Sequence, residues 1–195
     1  MRRLPARIGL FAVMAVACFM TPPAWAQNRE KAWEINPYAG YMAFSKVEGE
    51  QALNDTWDLG FRFGYNWTKH HEVEFGFYGA STDNGEGLDL SIDLLGGQVN
   101  YIYNFFLQRR GRVVGFGTIG AGIVNVSSFG FVSDPDLVGD SVDPSYNAGV
   151  GIRFFGGERA GFRFDIRRVI FTDNDVDVAY TEAAVGMTIV LGGAY

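Results

Sequence analysis

This chain of 195 residues has one cysteine, two histidines and, beyond its first 26 residues, no long apolar run. Cys18 falls inside an N-terminal stretch that reads as an export signal, so removal of that stretch leaves no thiol to form a disulfide. Arg2, Arg3 and Arg7 form its basic segment, Ile8 to Met20 its apolar segment, and Ala24-Trp25-Ala26 a small-x-small cleavage site. The apolar segment is too short for a spanning helix, which needs roughly 18 or more apolar residues, and nothing later reaches that length. Helical membrane insertion is excluded. Ala15-Val16-Ala17-Cys18 lacks the leucine of a lipoprotein cleavage box, so no acyl anchor is read there.

Basic residues are also scarce. Without Arg2, Arg3 and Arg7, the sixteen basic side chains fall to thirteen against 22 acidic ones, a net charge of −9 for residues 27–195. A chain so acidic cannot displace phosphate counterions, which excludes nucleic acid as a partner. These residues suffice for one domain.

What is abundant is alternation. No helical period persists, whereas period-two patterning recurs in segment after segment. Trp57, Leu59, Phe61, Phe63, Tyr65 and Trp67 share one face, against Asp58, Gly60, Arg62, Gly64 and Asn66. Val73, Phe75 and Phe77 oppose Glu72, Glu74, Gly76 and Tyr78, and Phe162, Phe164 and Ile166 oppose Arg163, Asp165 and Arg167. Two further strands carry Tyr146 to Phe154 against Asn147, Gly149, Gly151 and Arg153, and Ala183 to Leu191 against Glu182, Gly186 and Thr188. Three less regular segments, about 33–44, 88–106 and 112–126, bring the expected number of strands to eight. In the second of these the apolar phase slips between Leu94 and Leu95, which predicts a bulge beside Gly96-Gly97. The face of 112–126 is undecided by pattern, and the 26 glycines suggest tight strand curvature.

The connections alternate too. Thr68–His70, Gln108–Gly111 and Gly156–Arg159 are short and carry basic residues. Ser45–Asp55, Thr82–Gly87, Ser127–Asp143 and Thr172–Asp177 are mostly longer and acidic. Short turns at one end and longer loops at the other suit a closed up-and-down barrel crossing a membrane. A soluble barrel shows the same alternation but turns its apolar face inward. The polar face decides between them. Arg62, Arg153, Arg163 and Arg167 stand against Asp58, Glu72, Glu74, Asp165 and Glu182, a nearly balanced set suited to a closed ionic lumen. Six apolar groups from Trp57 to Trp67 would overfill the interior of a soluble barrel. Aromatic residues near strand ends, Trp33, Trp57, Tyr65, Trp67, Phe105, Phe154, Phe171 and Tyr180, are expected at the lipid headgroups. In a symmetric hairpin across Thr172–Asp177, Arg167 falls beside Glu182 and Arg153 beside Arg163, with Asp165 or another acid expected between the last two.

From Trp33 to Tyr195 the chain resembles the eight-stranded outer-membrane β-barrel family, of the kind seen in the OmpA transmembrane domain. The resemblance implies an all-β, closed antiparallel barrel in the outer membrane of a Gram-negative bacterium. It further implies contact with outer-membrane lipid and lipopolysaccharide, and delivery by the barrel-assembly machinery through the C-terminal strand. Met187, Ile189, Leu191 and Tyr195 match the alternating, aromatic-ended signal of that strand, while Gly193 interrupts it. No periplasmic domain follows, so peptidoglycan binding is not implied.

Catalytic patterns are weak. His70 and His71 lack partners at metal-ligand spacing, so no metal or cofactor is expected. No His-x-Ser pair matches the barrel hydrolases that trim lipid. Glu72 and Glu74 read as charge-network members rather than an acid–base pair. Gly115 to Gly120 imitates a nucleotide fingerprint without the helix that it requires. Asp134, Asp136, Asp140 and Asp143, with Asp173, Asp175 and Asp177, lack the spacing of a calcium loop and read as a solvated acidic surface. The sequence therefore points to a plugged barrel with a structural or interaction role. A narrow channel for small apolar molecules and a lipid-modifying enzyme are the alternatives. Arg168 shares the parity of Phe162, Phe164 and Ile166, and is expected at the outer rim, either as a contact for lipopolysaccharide phosphate or as a side chain reaching for water.

Overall fold

A computed structural model describes residues 29–45, 53–83, 91–108, 111–129, 141–157, 159–173 and 176–194. The signal over 1–26, Asp134, Asp136, Asp140, Asp175 and Tyr195 lie outside those residues. Eight strands follow one another: β1 (Glu30–Phe44), β2 (Thr56–Asn66), β3 (His71–Asp83), β4 (Ser91–Phe106), β5 (Val113–Phe129), β6 (Ser141–Phe155), β7 (Ala160–Asp173) and β8 (Val176–Ala194). Each pairs antiparallel with its neighbours, and β8 closes on β1. A row of paired residues starting at Thr181 runs through Arg168, Ala148, Ile119, Tyr101, Val73, Tyr65 and Trp33 and returns at Leu191. The stagger around the barrel is therefore ten residues. Eight strands leave an interior just wide enough for side chains.

Alternation places the side chains as the pattern predicts. Trp57, Leu59, Phe77, Val150 and Ile166 are exposed, while Arg62, Glu74, Arg153 and Arg167 are completely buried. An apolar exterior with a charged interior is the inverse of a soluble protein, and it fits a lipid solvent in which the ladder of a closed barrel satisfies every strand. The short turns after β2, β4 and β6 share one end with the start of β1 and the end of β8, where Glu30 pairs with Ala194. At the opposite end, β7 and β8 pair as far as Asp173 and Val176.

Two sequence expectations are corrected. The pairing of β4 runs without interruption from Ser91 to Tyr103 against β3 and from Ser91 to Phe106 against β5, so there is no bulge at Gly96-Gly97. Leu94 points into the lumen and Leu95 into lipid; the apparent slip in phase arises because the lumen is itself apolar at that level. For the same reason Phe171 and Tyr180 are not headgroup anchors. They are buried inside with Met42, Phe44, Tyr78 and Val124. A smaller apolar layer of Ala32, Val114, Phe155 and Val190 fills the end near the short turns. The undecided strand β5 turns Val114, Phe116 and Thr118 inward.

The abundance of glycine also has a more local cause than curvature. A Cβ on Gly60 or Gly96 would collide with the ring of Tyr38 or Tyr78 respectively, so the missing side chains on one strand make room for large ones on the next.

Candidate functional site

Between its two apolar layers the lumen holds a connected set of charges. Asp165, on β7, is the hub. Its Oδ2 accepts from Arg62 Nη1 at 2.7 Å and from Arg163 Nε at 3.0 Å, and its Oδ1 accepts from Arg167 Nε at 2.8 Å. Glu74 joins Arg163 to Arg167, the latter at 2.8 Å. Glu182 accepts from Arg62 Nη2 at 2.9 Å. Nearer the short turns, Arg153 donates to Glu72 at 2.8 Å and faces Glu34 at 3.3 Å. Eight of the nine lumenal charges named from sequence, Arg62, Glu72, Glu74, Arg153, Arg163, Asp165, Arg167 and Glu182, therefore meet in this network.

The wiring differs from that of adjacent strands. Arg167 is opposite Glu182 in register, yet the carboxylate of Glu182 crosses to Arg62. Arg153 is opposite Arg163, and among the described residues no single carboxylate is in salt-bridge contact with both. The ring of Phe116 fills that role, with the two guanidinium carbons 4.8 and 4.5 Å from its centroid. An aromatic face separates like charges while attracting both. Each arginine then finds its own carboxylates on β1, β3 or β7.

Several members were not proposed from sequence. Glu34 lies on β1, whose alternation is masked by Pro37, although its place between Trp33 and Ile35 was a usable signal. Neutral side chains extend the network. Asn66 donates to Glu34 at 2.6 Å, and Asn147 donates to Gln98 and Asn100 at 2.6 and 2.8 Å. Tyr38 lies under the guanidinium of Arg62, 3.7 Å from ring centroid to carbon, and Tyr180 donates to the hydroxyl of Tyr78 at 2.8 Å. Asp58, the ninth charge named from sequence, is buried over Gly40.

The histidines sit at the short-turn end. His70 Nδ1 is 2.8 Å from the carbonyl oxygen of Asn104, and His71 Nδ1 is 2.6 Å from the hydroxyl of Tyr101. His71 also stacks on Trp67. Arg168 stands on the exterior, bonded to Thr181 and Ser45.

A closed antiparallel barrel with an apolar belt and a charged, side-chain-filled lumen defines a membrane-spanning β-barrel of the outer-membrane type. The chain belongs to the outer membrane protein beta-barrel domain family, whose model matches residues 11–189. It is a protein of the Gram-negative outer membrane. No curated protein matches it. Among solved structures it is similar to Neisserial surface protein A, at 14% identity and a TM-score of 0.62, with 82% of this chain and 99% of that one covered. Outer membrane protein OprG from Pseudomonas aeruginosa gives 14% identity and a TM-score of 0.60, covering 88% and 100%. The outer membrane enzyme PagL gives 15% identity and a TM-score of 0.51, covering 80% and 98%. At these identities the likeness is one of fold.

Proposed function

We propose that the protein is a non-catalytic, plugged barrel that anchors acidic surface loops in the outer membrane, where they meet a partner or stiffen the surface. The observation that carries this reading is the three-layered lumen. Buried ion pairs of Arg62, Arg153, Arg163 and Arg167 fill the middle, and apolar layers close both ends. An ion crossing it would have to break several buried pairs at once, each costing about 3–5 kcal/mol when one partner is lost. A small apolar molecule would have to traverse the charged layer. Export removes residues 1–26, and the alternating residues of β8 present the C-terminal strand to the assembly machinery.

Purified protein in planar bilayers tests this reading. The plugged lumen predicts no steady conductance steps at either polarity. Reproducible unitary steps, abolished by a lumen-filling substitution such as Thr118→Phe, would establish an open pore instead.

A further inference from the structure

The lipid-facing wall is not uniform. Across β4 to β8 it carries a groove of about 650 Å³, which runs from Phe105 and Tyr103 near the short turns to Arg168 and Thr181 towards the other end. Ile119, Val150 and Ile166 form its sides. The groove exists because the barrel wall is thin there. A Cβ on Gly115 would strike the ring of Phe105, which already covers that position, but a Cβ on Gly117 would meet nothing within 4 Å. The protein leaves that part of the furrow unfilled by its own side chains.

At the far end of the groove lies a cation of unusual standing. Arg62, Arg153, Arg163 and Arg167 each meet carboxylates in the lumen. Arg168, the next residue along β7, is exposed and bonded to two neutral hydroxyls instead, Thr181 Oγ1 at 3.1 Å and Ser45 Oγ at 2.6 Å. Among the described residues no carboxylate is in salt-bridge contact with it. A guanidinium carries five N–H donors, so two hydroxyl acceptors leave it oriented but not neutralised. A cation facing lipid is tolerable near the interface and unfavourable at the midplane. Here it borders an apolar furrow and lies towards the end of the barrel remote from the short turns, which in barrels of this type face the periplasm.

We propose that this groove is a binding site for lipopolysaccharide, with one acyl chain lying in the furrow over Gly117 and a lipid A phosphate accepting from Arg168. The two halves of the site match the two halves of the ligand. The apolar channel excludes water from the chain, and the charge-assisted bond fixes the phosphate. Thr181 and Ser45 hold the guanidinium in place before the lipid arrives, which reduces the ordering cost of binding.

Native mass spectrometry of the full mature chain tests the proposal after detergent exchange with three probes: diphosphoryl lipid A, lipid A stripped of its phosphates, and dioleoylphosphatidylglycerol. Diphosphoryl lipid A should be retained most strongly. Arg168→Ala should weaken its retention by about tenfold, the loss of one charge-assisted contact. Gly117→Leu fills the groove and should weaken retention of both forms of lipid A while leaving Arg168 untouched. Heat-modifiable gel mobility verifies that both variants are folded. Folded variants that hold diphosphoryl lipid A as the parent does would overturn the site. Equal retention of the dephosphorylated form or of phosphatidylglycerol by the parent would overturn the assignment to lipopolysaccharide phosphate, leaving Arg168 as a side chain that merely reaches for water.

Discussion

Asp165 accepts from three guanidinium groups, whereas Glu182 accepts from one that already has a second carboxylate. The two should therefore respond differently to truncation, although both are buried. Asp165→Ala leaves Arg62, Arg163 and Arg167 each short of a partner and should lower stability by about 3–5 kcal/mol, the cost of breaking a buried pair. Glu182→Ala leaves Arg62 its bond to Asp165 and should cost about 1–3 kcal/mol. Urea midpoints in the same detergent provide the comparison, and equal midpoints would mean that Asp165 is not the hub. The identity of these residues was legible from sequence, because alternation assigns each of them a face. Their partners were not. Facing strands across a lumen are brought together by closure and stagger, which no local period encodes, so Glu182 reached Arg62 on β2 rather than Arg167 beside it. Phe116 was hidden for a related reason: an aromatic residue between glycines gives no clue that its face will separate two arginines.

At the level of the strand, β2, β3, β6, β7 and β8 were readable because, through the middle of each, apolar residues alternate with polar or small ones. β4 was misread where Leu94 enters the apolar end of the lumen, since a residue that is apolar and inward breaks the rule that distinguishes the two faces. Tyr180 and Phe171 misled in the same way. The glycines admit a direct test. Gly96 faces inward beneath the ring of Tyr78, and Gly117 faces outward over open space. Gly96→Val should force that ring aside and cost about 1–3 kcal/mol, as overpacking of a filled interior does. Gly117→Leu should leave the unfolding midpoint close to that of the parent. Equal losses at both positions would contradict the assignment of lumen and lipid faces along β4 and β5.

For the whole molecule, closure does what the individual strands cannot. It satisfies both edges of the sheet, gives the apolar belt a lipid solvent and confines the charges to an interior where they meet one another. The architecture was readable in advance from strand number and from the asymmetry between short turns and long loops. The layering of the lumen, apolar at both ends and ionic between, emerged only with the fold. That layering is the central claim, and thiol accessibility reaches it most directly. Cys18 is the chain's one cysteine and precedes the expected mature start, so any introduced thiol stands alone. Thr118→Cys and Asn147→Cys place one in the buried lumen, and Leu107→Cys places one in an exposed turn as a reference. Against a small, charged, water-soluble methanethiosulfonate, a plugged barrel folded in detergent predicts rapid modification at position 107 and none at 118 or 147 until urea unfolds it. Modification of the two lumenal thiols at the rate of the turn would show a water-filled pore and contradict the account.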